Sequence, residues 1–264
     1  MPPLTRGDGG PPAAPAIAAG AVAMRREAAR DLWLAGVLVA AGAAAIGRGA
    51  GFGVDYALKA LLVFAAGAAL VWAALPAAHP HPRFGAANRL TLARFALSCG
   101  LAALVGESFA QPDVVAWIVV VTATVTAVLD AADGPLARRS GLASGFGARF
   151  DMETDAWLTL VLCALVVQFD KAGAWVLASG LMRHAFVAAA RAWPWLAAPL
   201  PPSRRRQAVC VVQITALIVC LGPIVPRWAA SALAALALAA LTLSFAVDLR
   251  WLARARRTTE EFAP

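Results

Sequence analysis

From residue 32 onward the chain alternates between long apolar runs and short stretches that hold charge, Gly or Pro. Eight apolar runs can be marked, over residues 32–47, 55–76, 88–106, 113–133, 151–169, 172–192, 207–223 and 227–249. About 20 mostly apolar residues in a helix are enough to cross the hydrocarbon of a bilayer. Most of these runs approach that length, and the first is the shortest. The pattern predicts an all-α, polytopic integral membrane bundle of about eight transmembrane helices. Residues 1–24 differ: they are rich in Pro, Ala and Gly with few large apolar side chains. Such a segment buries too little surface to offset its ordering, so a disordered tail is expected there. No basic segment leads into an apolar core and cleavage site, so it does not read as a signal peptide.

The composition agrees with a lipid-embedded chain: 61% hydrophobic and only 14% charged. The net charge of +8 would raise nucleic acid as a partner for a soluble protein. Here the arginines sit between apolar runs and no RNA-reading motif accompanies them, so headgroups and topology explain them better. Arg25, Arg26 and Arg30 precede the first run, and Arg83 and Arg89 lie in the second connection. Arg138, Arg139 and Arg149 lie in the fourth, and Arg191, Arg204, Arg205 and Arg206 in the sixth. Arg250, Arg254, Arg256 and Arg257 end the chain. The intervening connections carry only Arg48, Lys171 and Arg227. This alternation predicts both termini, and the fourth connection, on the cytoplasmic side of the cell (inner) membrane. Cys99, Cys163, Cys210 and Cys220 lie inside apolar runs without a CxxC and read as small hydrophobes. His79 and His81, in HPHPR, read as part of a linker, and Trp72, Trp117, Trp193 and Trp195 as interfacial anchors or packing.

The candidate chemistry lies where the fourth and fifth runs meet, in LDAADGPLARRSGLASGFGARFDMETDA. Asp130 and Asp133 are three apart and Asp151 and Asp155 four apart, so each pair shares a helix face. The Gly-, Ser- and Arg-rich stretch between them turns the chain back, and two antiparallel helices then aim four carboxylates into one cavity. Unpaired, these groups would repel strongly in a low dielectric. Oxygen-only ligands suit Mg²⁺, Mn²⁺ or Ca²⁺, and ions of that kind clamp phosphate oxygens. Gly134, Ala137, Gly141, Gly145 and Gly147 leave room for a ligand or for close helix approach. Arg138 is placed to meet a phosphate or a base.

The spacing D-x2-D-G-x2-A-R-x8-G-x3-D-x3-D is met by Asp130, Asp133, Gly134, Ala137, Arg138, Gly147, Asp151 and Asp155. It resembles the signature of the CDP-alcohol phosphotransferase (phosphatidyltransferase) family, and NRLTLAR, Asn88 to Arg94, resembles the opening of that family's first core helix. The resemblance implies a six-helix catalytic core over 86–250, preceded by two additional helices and a linker over 25–85 and followed by a basic tail over 251–264. It implies two Mg²⁺ or Mn²⁺ ions on Asp130, Asp133 and Asp151, with Asp155 as general base and a possible further ligand. Gly134, Ala137, Arg138 and Gly147 would line the cytidine diphosphate pocket, and a homodimer is usual in the family. The implied reaction transfers a phosphatidyl group from CDP-diacylglycerol to a small alcohol, with release of CMP. An aminoalcohol phosphotransferase and, outside enzymes, a cation channel or transporter are the alternatives. Arg183, Arg191, Arg204 and Arg205 are the candidates for an acceptor phosphate or headgroup. The stretch SRRRQ stands where phosphatidylglycerophosphate synthases carry a Gly-Lys-containing stretch, which leaves the acceptor open.

Overall fold

The computed structural model describes residues 14–75, 83–140 and 144–261, with side chains over 20–75, 83–131 and 144–256. The described residues form eight α-helices: α1 (Ala14–Ala50), α2 (Val54–Ala74), α3 (Ala86–Ala103), α4 (Pro112–Ser140), α5 (Gly145–Gln168), α6 (Leu177–Ala192), α7 (Arg204–Leu221) and α8 (Arg227–Glu261). Short 3-10 turns at Ala174–Val176 and Pro194–Ala197 flank α6. His79 and His81 lie outside the described residues.

Helix α8 runs on to Glu261, through most of the expected tail over 251–264, and the helix boundaries depart from the expectation in two further places. First, α1 begins at Ala14, so residues 14–24 extend the first helix rather than forming part of a tail. Alanine is the strongest helix former, and the extension is anchored by packing, since Met24 and Ala28 are fully buried. Second, α4 runs on to Ser140 and α5 starts at Gly145, so most of the expected turn is helical and only residues 141–144 separate the two helices. Ser144 caps α5, its hydroxyl accepting from the Gly147 N–H at 3.1 Å.

The outer surface is apolar: Leu38, Leu62, Leu70, Leu236 and Leu243 are each 69% exposed or more. So large an apolar exterior suits lipid rather than water. Four helices are long and apolar enough to cross a membrane, over Gly20–Ala50, Val54–Ala74, Pro112–Ala131 and Arg227–Arg256. The other four, α3, α5, α6 and α7, also carry buried or half-buried polar groups: Asn88 and Arg94; Asp151 and Asp155; Arg183; and Arg205, Arg206 and Gln213. The interior between them is built from Leu101, Leu158, Leu162, Leu165, Leu217 and Leu221, all nearly or fully buried.

Small residues set the closest approaches, as expected where lipid competes with helix for the same apolar surface. A Cβ on Gly180 of α6 would meet the Leu160 Cα of α5 at 2.6 Å, and one on Gly67 of α2 would overlap the Phe95 ring of α3.

The two ends of the bundle are tied differently. At one end, Lys59 donates to the Ala103 and Val105 carbonyls at 3.1 and 2.9 Å and pairs with Glu107 at 2.7 Å. Gln168 donates to the Leu104 and Glu107 carbonyls, and Lys171 to those of Gly222 and Val225. These side chains satisfy carbonyls that helix ends and turns leave without partners. At the other end the ties are ion pairs. Arg89, at the start of α3, binds Glu27 and Asp31 of α1, the latter at 2.6 Å. Glu27 also accepts the Phe84 N–H at 3.0 Å. Arg205 and Arg206, at the start of α7, pair with Asp248 of α8.

Candidate active site

Helices α4 and α5 bring Asp130, Asp151 and Asp155 together. One oxygen from each lies within 4.8 Å of the others. Each side chain is about a third exposed, at 32%, 35% and 31%. Beneath them lies Arg94 of α3, with a side chain only 1% exposed. Its Nη2 reaches Asp130 Oδ1 at 2.7 Å and also pairs with Asp155, while Nη1 donates to Asp151 Oδ1 at 2.5 Å. The arrangement is a cup, with a guanidinium floor and carboxylate walls open to a ligand.

The local sequence explains this geometry. Asp151 and Asp155 are one turn apart on α5, and Thr154 between them turns inward and donates to the Phe150 carbonyl at 2.9 Å. On α3 the buried polar residues Asn88, Thr91, Arg94 and Ser98 recur at helical spacing and form a stripe toward α5. Asn88 donates through Nδ2 to the Phe84 carbonyl at 2.5 Å. A Cβ on Gly147 would meet Asn88 Oδ1 at 2.7 Å, so this glycine lets α5 pass close to α3.

The donor set fits a hard divalent cation. The three clustered ligand atoms are carboxylate oxygens, with no His or Cys among them. Asp133, Gly134, Ala137 and Arg138 continue along α4, where they lie outside the residues whose side chains are described.

The basic residues separate into two groups. Arg183 of α6 pairs with Glu153 of α5 at 2.5 Å, which sets it beside the carboxylate turn. Cys210 of α7 lies within electrostatic reach of Asp130 and Asp155 and of Arg183 and Arg206, and α7 packs against both α4 and α5. Arg191, in the last turn of α6, and Arg204 are exposed. Arg205 is held in place by Ser244 and Asp248, donating to the Ser244 carbonyl at 2.6 Å.

Arg94 is the residue that sequence reasoning left without a role, although it ends the NRLTLAR stretch. A charged side chain inside an otherwise apolar helix is itself a sign of a functional cavity. The polar stripe at 88, 91, 94 and 98 gives the direction in which to look.

No curated protein and no solved structure matches the chain. The family model for CDP-alcohol phosphatidyltransferase matches residues 84–247, from just before α3 well into α8, and this span includes every helix of the cup. With more than half its length so matched and clustered carboxylates at the centre of the match, the chain belongs to the CDP-alcohol phosphatidyltransferase family.

Proposed function

We propose that the protein transfers a phosphatidyl group from CDP-diacylglycerol to the hydroxyl of a small polar alcohol and releases CMP. The reading rests on one observation, the convergence of Asp130, Asp151 and Asp155 within 4.8 Å in a cup open to ligand. Asp130, Asp133, Asp151 and Asp155 are the proposed ligands of two Mg²⁺ or Mn²⁺ ions. Divalent ions held there supply neutralisation of the pyrophosphate and polarisation of its phosphorus. Asp155 accepts the proton of the attacking hydroxyl. Gly134, Ala137, Arg138 and Gly147 line the site of the cytidine diphosphate.

A donor with acyl chains and a nucleotide needs a site at the membrane surface, open both to lipid and to water. The arginine-rich connections favour the cytoplasmic face of the cell membrane. Of the basic residues, Arg183 is the best placed to meet an acceptor phosphate, because Cys210 of α7 lies within electrostatic reach both of it and of Asp130 and Asp155. Arg191 and Arg204 are free to meet headgroups. Arg205 contributes by holding α7 against α8. A homodimer, as in the resembling family, completes the proposal. A cation pathway is disfavoured by the Arg94 guanidinium seated among the carboxylates.

The test is CMP release by purified protein in lipid nanodiscs, with CDP-diacylglycerol and a panel of alcohols and with CDP-choline and CDP-ethanolamine as rival donors. Asp130→Asn and Asp151→Asn are expected to lower turnover by at least about 10²-fold, the scale of losing one electrostatic contact to the transition state. Chelation should stop the reaction. Undiminished turnover in both variants, or turnover that survives chelation, overturns the reading.

A further inference from the structure

Arg94 has no assigned part in the reaction, yet among the described side chains it is the most enclosed charge in the site. Its guanidinium is always charged and presents a rigid fork of donors. Here that fork serves Asp130, Asp151 and Asp155 together. Among the described side chains, three carboxylates face this one guanidinium, which offsets part of the negative charge that draws metal ions to the site. The carboxylates are about a third exposed while Arg94 is 1% exposed, so a metal arrives from the side opposite the arginine.

Resting on the proposed metal role of these carboxylates, we propose that Arg94 is a resident cation that competes with divalent metal for Asp130, Asp151 and Asp155 and thereby sets the metal affinity of the centre. The Oδ1 atoms of Asp130, Asp151 and Asp155 all face the guanidinium. A metal that draws on those oxygens weakens their hold on Arg94. Reciprocity then requires Arg94 to weaken the hold on the metal by the same factor. The arginine thus keeps the like-charged walls together and makes the metal exchangeable. It acts on the reaction through the carboxylates, as a positioning residue.

This account predicts a sign that a scaffolding role does not. If Arg94 served only to order the ligands, its loss would loosen metal binding. As a competitor, its loss tightens it. The experiment is a titration of the full chain in detergent micelles with Mn²⁺ alone, following free Mn²⁺ by electron paramagnetic resonance, alongside the thermal midpoint with and without EDTA. Arg94→Gln is expected to bind Mn²⁺ about tenfold more tightly than wild type, within the usual range of coupling between sites. EDTA should lower its midpoint more than that of wild type. Arg94→Lys keeps the charge without the fork, and its affinity should fall between the two. Arg94→Gln is purified with Mn²⁺ present to offset the lost counter-charge, and Arg94→Lys decides the matter should that variant still fail to fold. Either variant binding Mn²⁺ with wild-type or weaker affinity overturns the inference. Failure of the wild type itself to bind Mn²⁺, or undiminished binding by Asp130→Asn, instead overturns the metal reading of the site.

Discussion

Gly180→Ala tests whether the site depends on the spacing between α5 and α6. Gly180 is buried on α6, one turn before Arg183, and faces Leu160 of α5. The added methyl would sit 2.6 Å from the Leu160 Cα, 2.9 Å from its Cδ1 and 3.1 Å from its Cβ. The side chain can rotate away, but the Cα cannot. Ordinary carbon contacts are about 3.5–4.0 Å, so the helices must part by about 1 Å. Overpacking of this kind costs about 1–3 kcal/mol. Replacing a helical glycine by alanine returns about 1 kcal/mol in propensity. The net expectation is a loss of about 1 kcal/mol, with the sign opposite to that at an open glycine. The kinetic effect is larger. A displacement of about 1 Å in catalytic geometry can cost about 10²-fold in rate, and α6 carries Arg183 against the carboxylate turn. Gly42→Ala, whose Cβ meets nothing within 4 Å, is the control and should gain up to about 1 kcal/mol of stability while keeping the rate. Thermal unfolding in detergent and CMP release are the assays. A Gly180→Ala protein with wild-type midpoint and turnover would refute the reasoning, and so would an equal loss in Gly42→Ala.

Two further outcomes follow from the contacts. Gly147→Ala places a methyl 2.7 Å from Asn88 Oδ1, so either the Asn88 amide gives up its bond to the Phe84 carbonyl or α5 shifts off α3, and KM for the CDP-linked donor should rise. A roughly tenfold rise corresponds to about 1.4 kcal/mol, and steady-state kinetics across donor concentrations would measure it. Asp248→Asn removes the negative charge shared by Arg205 and Arg206, which are 34% and 29% exposed. Discounted for that exposure, the loss should be about 1–2 kcal/mol in denaturant or thermal unfolding, while Mn²⁺ binding stays unchanged.

The helical class of the protein was legible because apolar runs report burial and lipid exposure directly. The meeting of α4 and α5 was legible because paired aspartates at helical spacing have few other uses inside a membrane. What stayed hidden is contact across distance in the chain. Arg94 lies 57 residues from Asp151 and 61 from Asp155, and the polar stripe it belongs to on α3 points inward without saying what it meets there. The triplet Arg204–Arg206 reads as one basic patch, yet Arg205 and Arg206 turn to Asp248, 43 and 42 residues away, and Arg204 does not share that partner. The start of α1 was obscured for a different reason. Alanine and glycine carry little hydrophobic signal, so a helix that packs through Met24 and Ala28 resembles a featureless tail until its neighbour is seen.

The acidic clamp on Arg89 bears on how modular this architecture is. The matched family region begins at residue 84, while the partners of Arg89 and of the Phe84 N–H, Glu27 and Asp31, belong to α1. A minimal version cut to the matched region would strand a cation and a backbone donor at the doorway to α3, five residues before the arginine of the cup. The leading pair of helices has become part of the foundation of the catalytic unit. Transplanting the core into another scaffold therefore means carrying α1 along or rewriting Arg89.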